Sequence, residues 1–249
     1  MTLAPTWMVE RVVLPHAQAT ALWPLRARAF DAVSPRPVLG DHHAFTLARR
    51  LDLSLSGVSP GRAGAIAMRS RVIDDWVRAF LARRRVATVV EIGVGLDTRF
   101  ERIDAGTQQW IDLDLPPIVE LRRSFLAASP RRAHVPASAA DERWLDRVER
   151  SPPPYCFVFE AVLAYLPPAE VPRIFARLAE RFRGATLIVD APRTWSDAAG
   201  VRAIERWGTG ISMEEEARAH RAARFRVGDA AHSQTYSPAC PAPFRHGPS

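Results

Sequence analysis

From Val86 onward, short apolar runs alternate with segments whose apolar positions recur at three- and four-residue steps. VATVVEIG, QQWIDLDL, RRAHVPAS, YCFVFE and ATLIVDA predict buried strands. Between them PPIVELRRSFLAAS, DERWLDRVER and PAEVPRIFARLAERFR predict helices, the first with the prolines that a helix start tolerates. Strands and helices that alternate in this way build an α/β fold, a doubly wound and mostly parallel sheet covered on both faces. Ligands on such sheets sit at the carboxyl ends of the strands, where the winding changes direction.

Upstream, ATALWPLRARAFDAV and DHHAFTLARRLDL have helical periodicity and are joined by the turn-forming SPRPVLG, so the N-terminal part reads as a helical cover. In AIAMRSRVIDDWVRAFLARRR the residues Ile66, Val72, Ile73, Trp76, Val77, Phe80 and Leu81 mark one face of a long amphipathic helix, with Trp76 and Phe80 in the core. Basic residues crowd its last turn, where they suit the helix dipole. Past Arg193 the periodicity fades. RTWSDAAGVRAIERWG and SMEEEARAHRAARF read as helices, and the Pro-rich SQTYSPACPAPFRHGPS reads as a disordered tail.

A chain of 249 residues, 47% hydrophobic, can bury one substantial core with a modest cover. No apolar run approaches the roughly 20 residues that span a bilayer, and the first residues lack the charged-then-apolar order of a secretory signal. A cytoplasmic location away from membranes is the expectation. With two cysteines, neither a disulfide framework nor a cysteine zinc site is supported. His42 and His43 would point in different directions, which argues for exposed side chains rather than metal ligands.

Charge narrows the chemistry further. All 34 basic residues are arginine, so Schiff-base chemistry, a lysine nucleophile and a P-loop are excluded. The net charge of +7 could suit nucleic acid, but the arginines sit beside acids in LARRLDLS, FERIDA and DERWLDRVER. That interspersion predicts solvated helix faces and no nucleic-acid groove.

The acids fall at strand ends: Glu91 after the first strand, Asp112 and Asp114 after the second, Asp141 beyond the third, Glu160 after the fourth. Over an empty crevice they would repel one another, whereas a ligand with hydroxyls, amines or positive charge would accommodate them. The first strand runs into a glycine turn, VVEIGVGLDTR. A nicotinamide fingerprint needs a third glycine where this chain has Thr98, and Glu91 and Asp97 flank the turn where a pyrophosphate would lie. S-adenosylmethionine has no phosphate and carries a sulfonium, an ammonium and two ribose hydroxyls. Glu91 and Asp97 suit that cation, and Asp114, 19 residues beyond Gly95, can accept from both hydroxyls. A tight turn without any ligand remains the structural alternative for Gly93 and Gly95.

Arg69, VVEIGVGLDTRFERI, WIDLDLPPIVELRR, SAAD and FVFEAVLAYLPPAEV, in that order, resemble the motifs of the leucine carboxyl methyltransferase family, which includes polyketide-type O-methyltransferases. The resemblance extends from about Leu22 to Ala191, LWPLRARAFDA and the helix ending RAFL included. It implies S-adenosylmethionine as cofactor, with Arg69 on its carboxylate, Gly93 and Gly95 in the turn and Asp114 on the ribose. Asp141 with Glu142 would lie beside the adenine, and Glu160 near the methionine amine. Tyr165 would face the acceptor. The run ERWLD after Asp141 departs from members that methylate a protein C-terminus, and the two strands that would complete the sheet are expected to be missing.

The resulting division is a helical cover over 1–64, a cofactor-binding α/β core over 65–193, a poorly matched helical region over 194–230 and a tail over 231–249. The expected reaction is O-methylation of a carboxyl or hydroxyl group on a small molecule. An ionised acceptor carboxylate needs no general base but does need an arginine, for which Arg26 and Arg28 are the candidates. A nicotinamide oxidoreductase and a non-catalytic basic binding protein on a degenerate fold are the alternatives.

Overall fold

The apolar runs form the centre of a sheet in the computed structural model, which describes residues 21–190, 204–207, 211–217 and 222–228. Its first five strands are β1 (Thr88–Ile92), β2 (Gln109–Asp114), β3 (Arg132–Pro136), β4 (Tyr155–Phe159) and β5 (Thr186–Asp190). Every residue of β1 and β5 is buried, as continuous apolar strands covered on both faces must be. β1 pairs in parallel with β2 on one side and β4 on the other, so Glu91 lies opposite both Asp112 and Val158. The chain winds outward through β2 and β3, then returns to the far side of β1. The crevice between the ends of β1 and β4 is therefore the place where a ligand is expected.

Helices cover both faces. Successive residues of each strand point to opposite sides, and the core divides accordingly. Val90, Ile92, Phe157, Phe159, Leu187 and Val189 pack with α6 (Arg143–Glu149) and α7 (Glu170–Arg181). On the other face, Val89, Trp110, Cys156, Val158 and Ile188 meet Ile73, Trp76, Val77 and Phe80 of α3 (Pro60–Leu81). Trp76 and Phe80 are core residues, as their spacing predicts. Helix α3 starts at Pro60, one turn earlier than expected, because the proline's missing N–H costs nothing in a first turn.

The cover consists of α1 (Leu22–Ala32) and α2 (His42–Arg50), whose Leu25, Ala29 and Leu47 pack on Leu96 of the glycine turn and on Leu121. Leu121 belongs to α5 (Pro116–Phe125), which follows β2; a short α4 (Arg99–Ile103) follows the turn.

The C-terminal expectation is corrected. SMEEEARAHRAARF contains two strands rather than a helix: β6 (Ile211–Ala217) and β7 (Ala222–Val227). β7 runs antiparallel to β5 and to β6, and the sheet order is β3-β2-β1-β4-β5-β7-β6. The strands thought missing are present. Glutamates and arginines imitate a solvated helix, but Ala223, Phe225 and Val227 enter the core at every second residue. The edge of β5 supplies partners for that period, and tertiary pairing overrides local propensity. Of the expected helix before it, Ile204–Trp207 forms a helical turn, α8. Residues 194–203, the tail over 231–249 and the first 20 residues lie outside the described residues. Among the described residues no helix is long and apolar enough to cross a membrane.

Candidate functional site

The turn after β1 is held from several sides. Gly93 has φ +64 and Gly95 φ +53, the left-handed region that glycine enters without penalty. A Cβ on Gly93 would lie 2.2 Å from Val162 Cγ2, so only glycine fits there. The Gly93 N–H donates to the Leu113 carbonyl at 2.8 Å, and the Gly95 N–H donates to Asp114 Oδ2 at 2.7 Å. Arg122 of α5, wholly buried, donates Nη1 to the carbonyls of Gly95 and Asp97 at 2.8 and 2.9 Å. Arg28 of α1 donates Nη2 to the Leu96 carbonyl at 3.2 Å. Thr98, at the position a dinucleotide fingerprint reserves for glycine, is buried with its hydroxyl donating to Asp41 Oδ2 at 2.6 Å.

This turn forms one wall of a cavity of about 350 Å³ at the carboxyl ends of β1, β2 and β4. Arg28, Arg69, Glu91, Gly93, Gly95, Asp97, Asp114, Glu160 and Tyr165 all line it. Of the acids expected at strand ends, Glu91, Asp114 and Glu160 share this hollow and Asp112 and Asp141 do not.

What faces those acids differs from expectation. Carboxylates at the strand ends are expected to await a cation, but arginines already neutralise most of them. Arg99, 1% exposed, places its guanidinium 2.6 Å from Asp74, 3.0 Å from Glu91 and 3.8 Å from Asp97, and also contacts Glu160. Arg102 bridges Asp41, Asp74 and Asp97 at 2.7, 2.8 and 2.9 Å. Arg28 pairs with Asp97 at 3.2 Å, and Arg69 spans Glu160 at 3.1 Å and Asp190 at 3.2 Å. This network joins six carboxylates (Asp41, Asp74, Glu91, Asp97, Glu160 and Asp190) to these four guanidiniums, with the exposed Arg78 4.0 Å from Asp74 at its edge, so that carboxylates outnumber the four guanidiniums by two.

Titration behaviour divides along the same line. Burial pushes Glu160 upward, but Arg69 and Arg99 outweigh it and bring its carboxyl down to about 2. Arg102, Arg28 and Arg99 likewise overcome burial and hold Asp97 well below the ordinary range. At Glu91 burial wins over Arg99 and raises the carboxyl to about 8. Burial also raises Asp190 to about 6 in spite of Arg69. Asp114 is raised by burial against the two N–H groups it accepts, from Gly95 and from Leu115 at 2.7 Å.

Several expectations are corrected by these positions. Arg26 does not reach the cavity: its Nε and Nη2 donate to the carbonyls of Ser54 and Ser56 at 2.7 and 3.0 Å, tying α1 to the loop between α2 and α3. Asp141 and Glu142 also lie off the cavity. Asp141 accepts from the Arg143 N–H and Nε, both at 3.0 Å, satisfying a donor at the start of α6, and Glu142 pairs with Arg177. From the stretch SAAD it is Ser138 and Ala139 that line the cavity. Asp112 is neither a cavity group nor solvent-facing: it is 1% exposed and held by Arg122 at 2.6 Å and Arg132 at 2.7 Å.

Four residues escaped sequence reasoning: Arg99, Arg122, Asp190 and Ala161. Arg99 and Arg122 follow the glycine turn and β2, but only the folded topology shows which acids they meet. Tyr165, 65% exposed at the rim, and Leu115, 40% exposed, give the mouth of the cavity an apolar border together with Leu166 and Pro167.

Known proteins resemble this chain over most of its length. A family model described as leucine carboxyl methyltransferase matches residues 21–179. The tetracenomycin polyketide synthesis O-methyltransferase TcmP of Streptomyces glaucescens is 34% identical over 192 residues, covering 76% of this chain and 71% of that protein. The S-adenosyl-L-methionine-dependent methyltransferase dpfgK of Gibberella zeae is 30% identical over 190 residues, covering 70% of this chain and 64% of that one. The solved N-methyltransferase NodS of Bradyrhizobium japonicum, in complex with S-adenosyl-L-homocysteine, is 17% identical with a TM-score of 0.47, over 76% of this chain and 100% of that chain.

Proposed function

The chain belongs to the leucine carboxyl methyltransferase family, and from that premise we propose that it methylates a carboxyl oxygen of a small, largely apolar acceptor with S-adenosylmethionine as donor. It is an S-adenosylmethionine-dependent methyltransferase. Neither a nicotinamide cofactor nor a non-catalytic basic scaffold finds support among its relatives.

The observation that carries the reading is Asp114, a carboxylate that lines the cavity and that no arginine contacts. Asp114 has both oxygens anchored by backbone N–H groups and keeps lone pairs for two further donors, which is what a ribose diol requires. Glu160 would take the ammonium of the cofactor. Arg69, with N–H groups beyond those spent on Glu160 and Asp190, would take its carboxylate. Ser138 and Ala139 would flank the adenine, in place of Asp141 and Glu142. When bound, the cofactor supplies an electrophilic methyl carbon on a sulfonium.

The chain's own part is to hold and orient the acceptor at that end of the cavity. Among the described residues no histidine lines the cavity, which suits an acceptor already ionised at neutral pH. Arg28 lines the cavity, and N–H groups of its guanidinium beyond those spent on Asp97 and the Leu96 carbonyl would meet an acceptor carboxylate. Tyr165, Leu115, Leu166 and Pro167 would lie against an apolar or aromatic body.

The test is transfer of labelled methyl from S-adenosylmethionine to a panel of aromatic hydroxy acids, followed by alkaline treatment. A methyl ester releases its label as methanol, and an ether keeps it. Alkali-labile product is expected. Stable label would move the reaction to a hydroxyl, and absence of transfer to every acceptor by a protein that binds the cofactor would remove the acceptor assignment.

A further inference from the structure

The last residue of β5 reaches the same site, yet neither the family resemblance nor the argument above gives it a role. Asp190 is 5% exposed. Its Oδ1 accepts the Ala161 N–H at 2.7 Å, and its Oδ2 lies 3.2 Å from Arg69 Nη1. One contact thus goes to the segment leaving β4 and the other to α3. Both segments carry the groups assigned above to the amino-acid end of the cofactor.

The backbone at that point is unusual. Ala161 has φ +56, a left-handed conformation that is strained for a residue bearing a Cβ. It directly follows Glu160, and the turn it makes brings Val162 into the space that a Cβ on Gly93 would need. Strain of this kind persists only where the surroundings over-determine it, and it concentrates at ligand clamps. Asp190 is the acceptor for the N–H of this strained residue.

On the side-chain side, Glu160 Oε1 accepts from Arg69 Nε at 3.1 Å and from the Ser70 hydroxyl at 2.8 Å. Arg69 is therefore clamped between two carboxylates, with Glu160 at its Nε and Asp190 at its Nη1. If Asp190 lost its charge, only Glu160 would direct the guanidinium.

Resting on the proposed function, we infer that Asp190 is the positioning residue for the amino-acid end of S-adenosylmethionine. It presets the Glu160–Ala161 turn and the direction of Arg69, and it has no part in holding the adenosine. Asp114, on the other side of the cavity, acts on the ribose and is independent of it.

Two probes separate the halves of the cofactor: S-adenosylhomocysteine, which keeps the amino-acid end, and 5′-methylthioadenosine, which lacks it. Calorimetric titration of wild type and Asp190→Asn with each is the experiment. Asparagine is isosteric and keeps an oxygen for the Ala161 N–H while removing the negative charge that faces Arg69. Loss of a charge-assisted contact predicts about a tenfold or greater fall in affinity for S-adenosylhomocysteine, with 5′-methylthioadenosine unchanged within about twofold. Should Asp190→Asn not fold, Asp190→Asn with Ala161→Gly carries the same comparison, since glycine holds the left-handed turn without help. Equal losses for both probes, or none for either, would overturn the inference while leaving the proposed function intact. If wild type binds neither probe, the cofactor assignment and the inference fall together.

Discussion

Glu91→Gln isolates the one cavity carboxylate that its arginine does not fully compensate. Glu91 is 3% exposed, with Oε2 at 3.0 Å from Arg99 Nη1, and Arg99 retains Asp74, Asp97 and Glu160 after the change. Burial raises the Glu91 carboxyl from 4.5 to about 8. An acid whose folded value exceeds its unfolded value holds its proton more tightly when folded. Its charge therefore costs nothing below pH 4.5, and the cost grows as pH rises and is complete above about pH 8.

Each pH unit across that window costs about 1.4 kcal/mol, so ligand-free wild type loses about 3–5 kcal/mol of stability from this group between the two limits. Glutamine cannot titrate. The variant should exceed wild type by about that amount at pH 8, and the difference should vanish towards pH 5. Asp190, raised to about 6, adds a slope of the same sign at lower pH, but it does so in both proteins and cancels in the comparison. Urea unfolding of the ligand-free proteins at pH 5, 6.5 and 8 measures the difference directly. In thermal melting it corresponds to about 6–20 °C at the alkaline end. Parallel pH slopes for the two proteins, or a less stable variant at pH 8, would show the Glu91–Arg99 pair to be net favourable and refute this reading.

Other changes test the remaining assignments. Gly93→Ala forces a Cβ to within 2.2 Å of Val162 at φ +64 and should cost about 2–4 kcal/mol by urea unfolding. Val162→Ala in the same chain should recover part of that loss, and a neutral Gly93→Ala would contradict the close approach. Arg26→Ala removes contacts to the Ser54 and Ser56 carbonyls and to the Trp23 ring, all off the cavity, so S-adenosylmethionine should bind within about twofold of wild type; a tenfold loss would return Arg26 to the site. Tyr165→Ala should raise KM for the acceptor and leave cofactor affinity unchanged, because its side chain is 65% exposed at the mouth. A matching loss in cofactor affinity would place it on the wrong ligand.

The parts of this site that were legible in the sequence are those fixed by local chain direction. Glu91, Gly93, Gly95, Asp114 and Glu160 sit at or just beyond strand ends, and a parallel sheet brings strand ends to one rim whatever the side chains do next. Ion pairing is not local in that sense. Arg99 meets Glu91 across 8 residues, Asp74 across 25 and Glu160 across 61, so which acids stay unneutralised depends on the crossover order. The same holds for Arg26 and Arg28, two residues apart on α1. One turns to a loop and the other to the glycine turn, and the composition of the helix gives no sign of which.

Asp141 illustrates a competing demand. A carboxylate just before a helix is as well suited to the helix's free N–H groups as to a ligand, and here the helix takes it. The misread hairpin of β6 and β7 has a different cause. Its charged residues occupy positions compatible with either period, and only the open edge of β5 selects the period of two.

The central claim is that the hollow at the strand ends, with Asp114 free of any arginine, receives a cationic, ribose-bearing methyl donor. Calorimetric titration of wild type and Asp114→Ala with S-adenosylmethionine measures it most directly. The account predicts one site per chain in wild type and about a tenfold or greater loss in the variant, the worth of a hydrogen bond to a charged group. No binding by wild type, or equal binding by the two proteins, would contradict it.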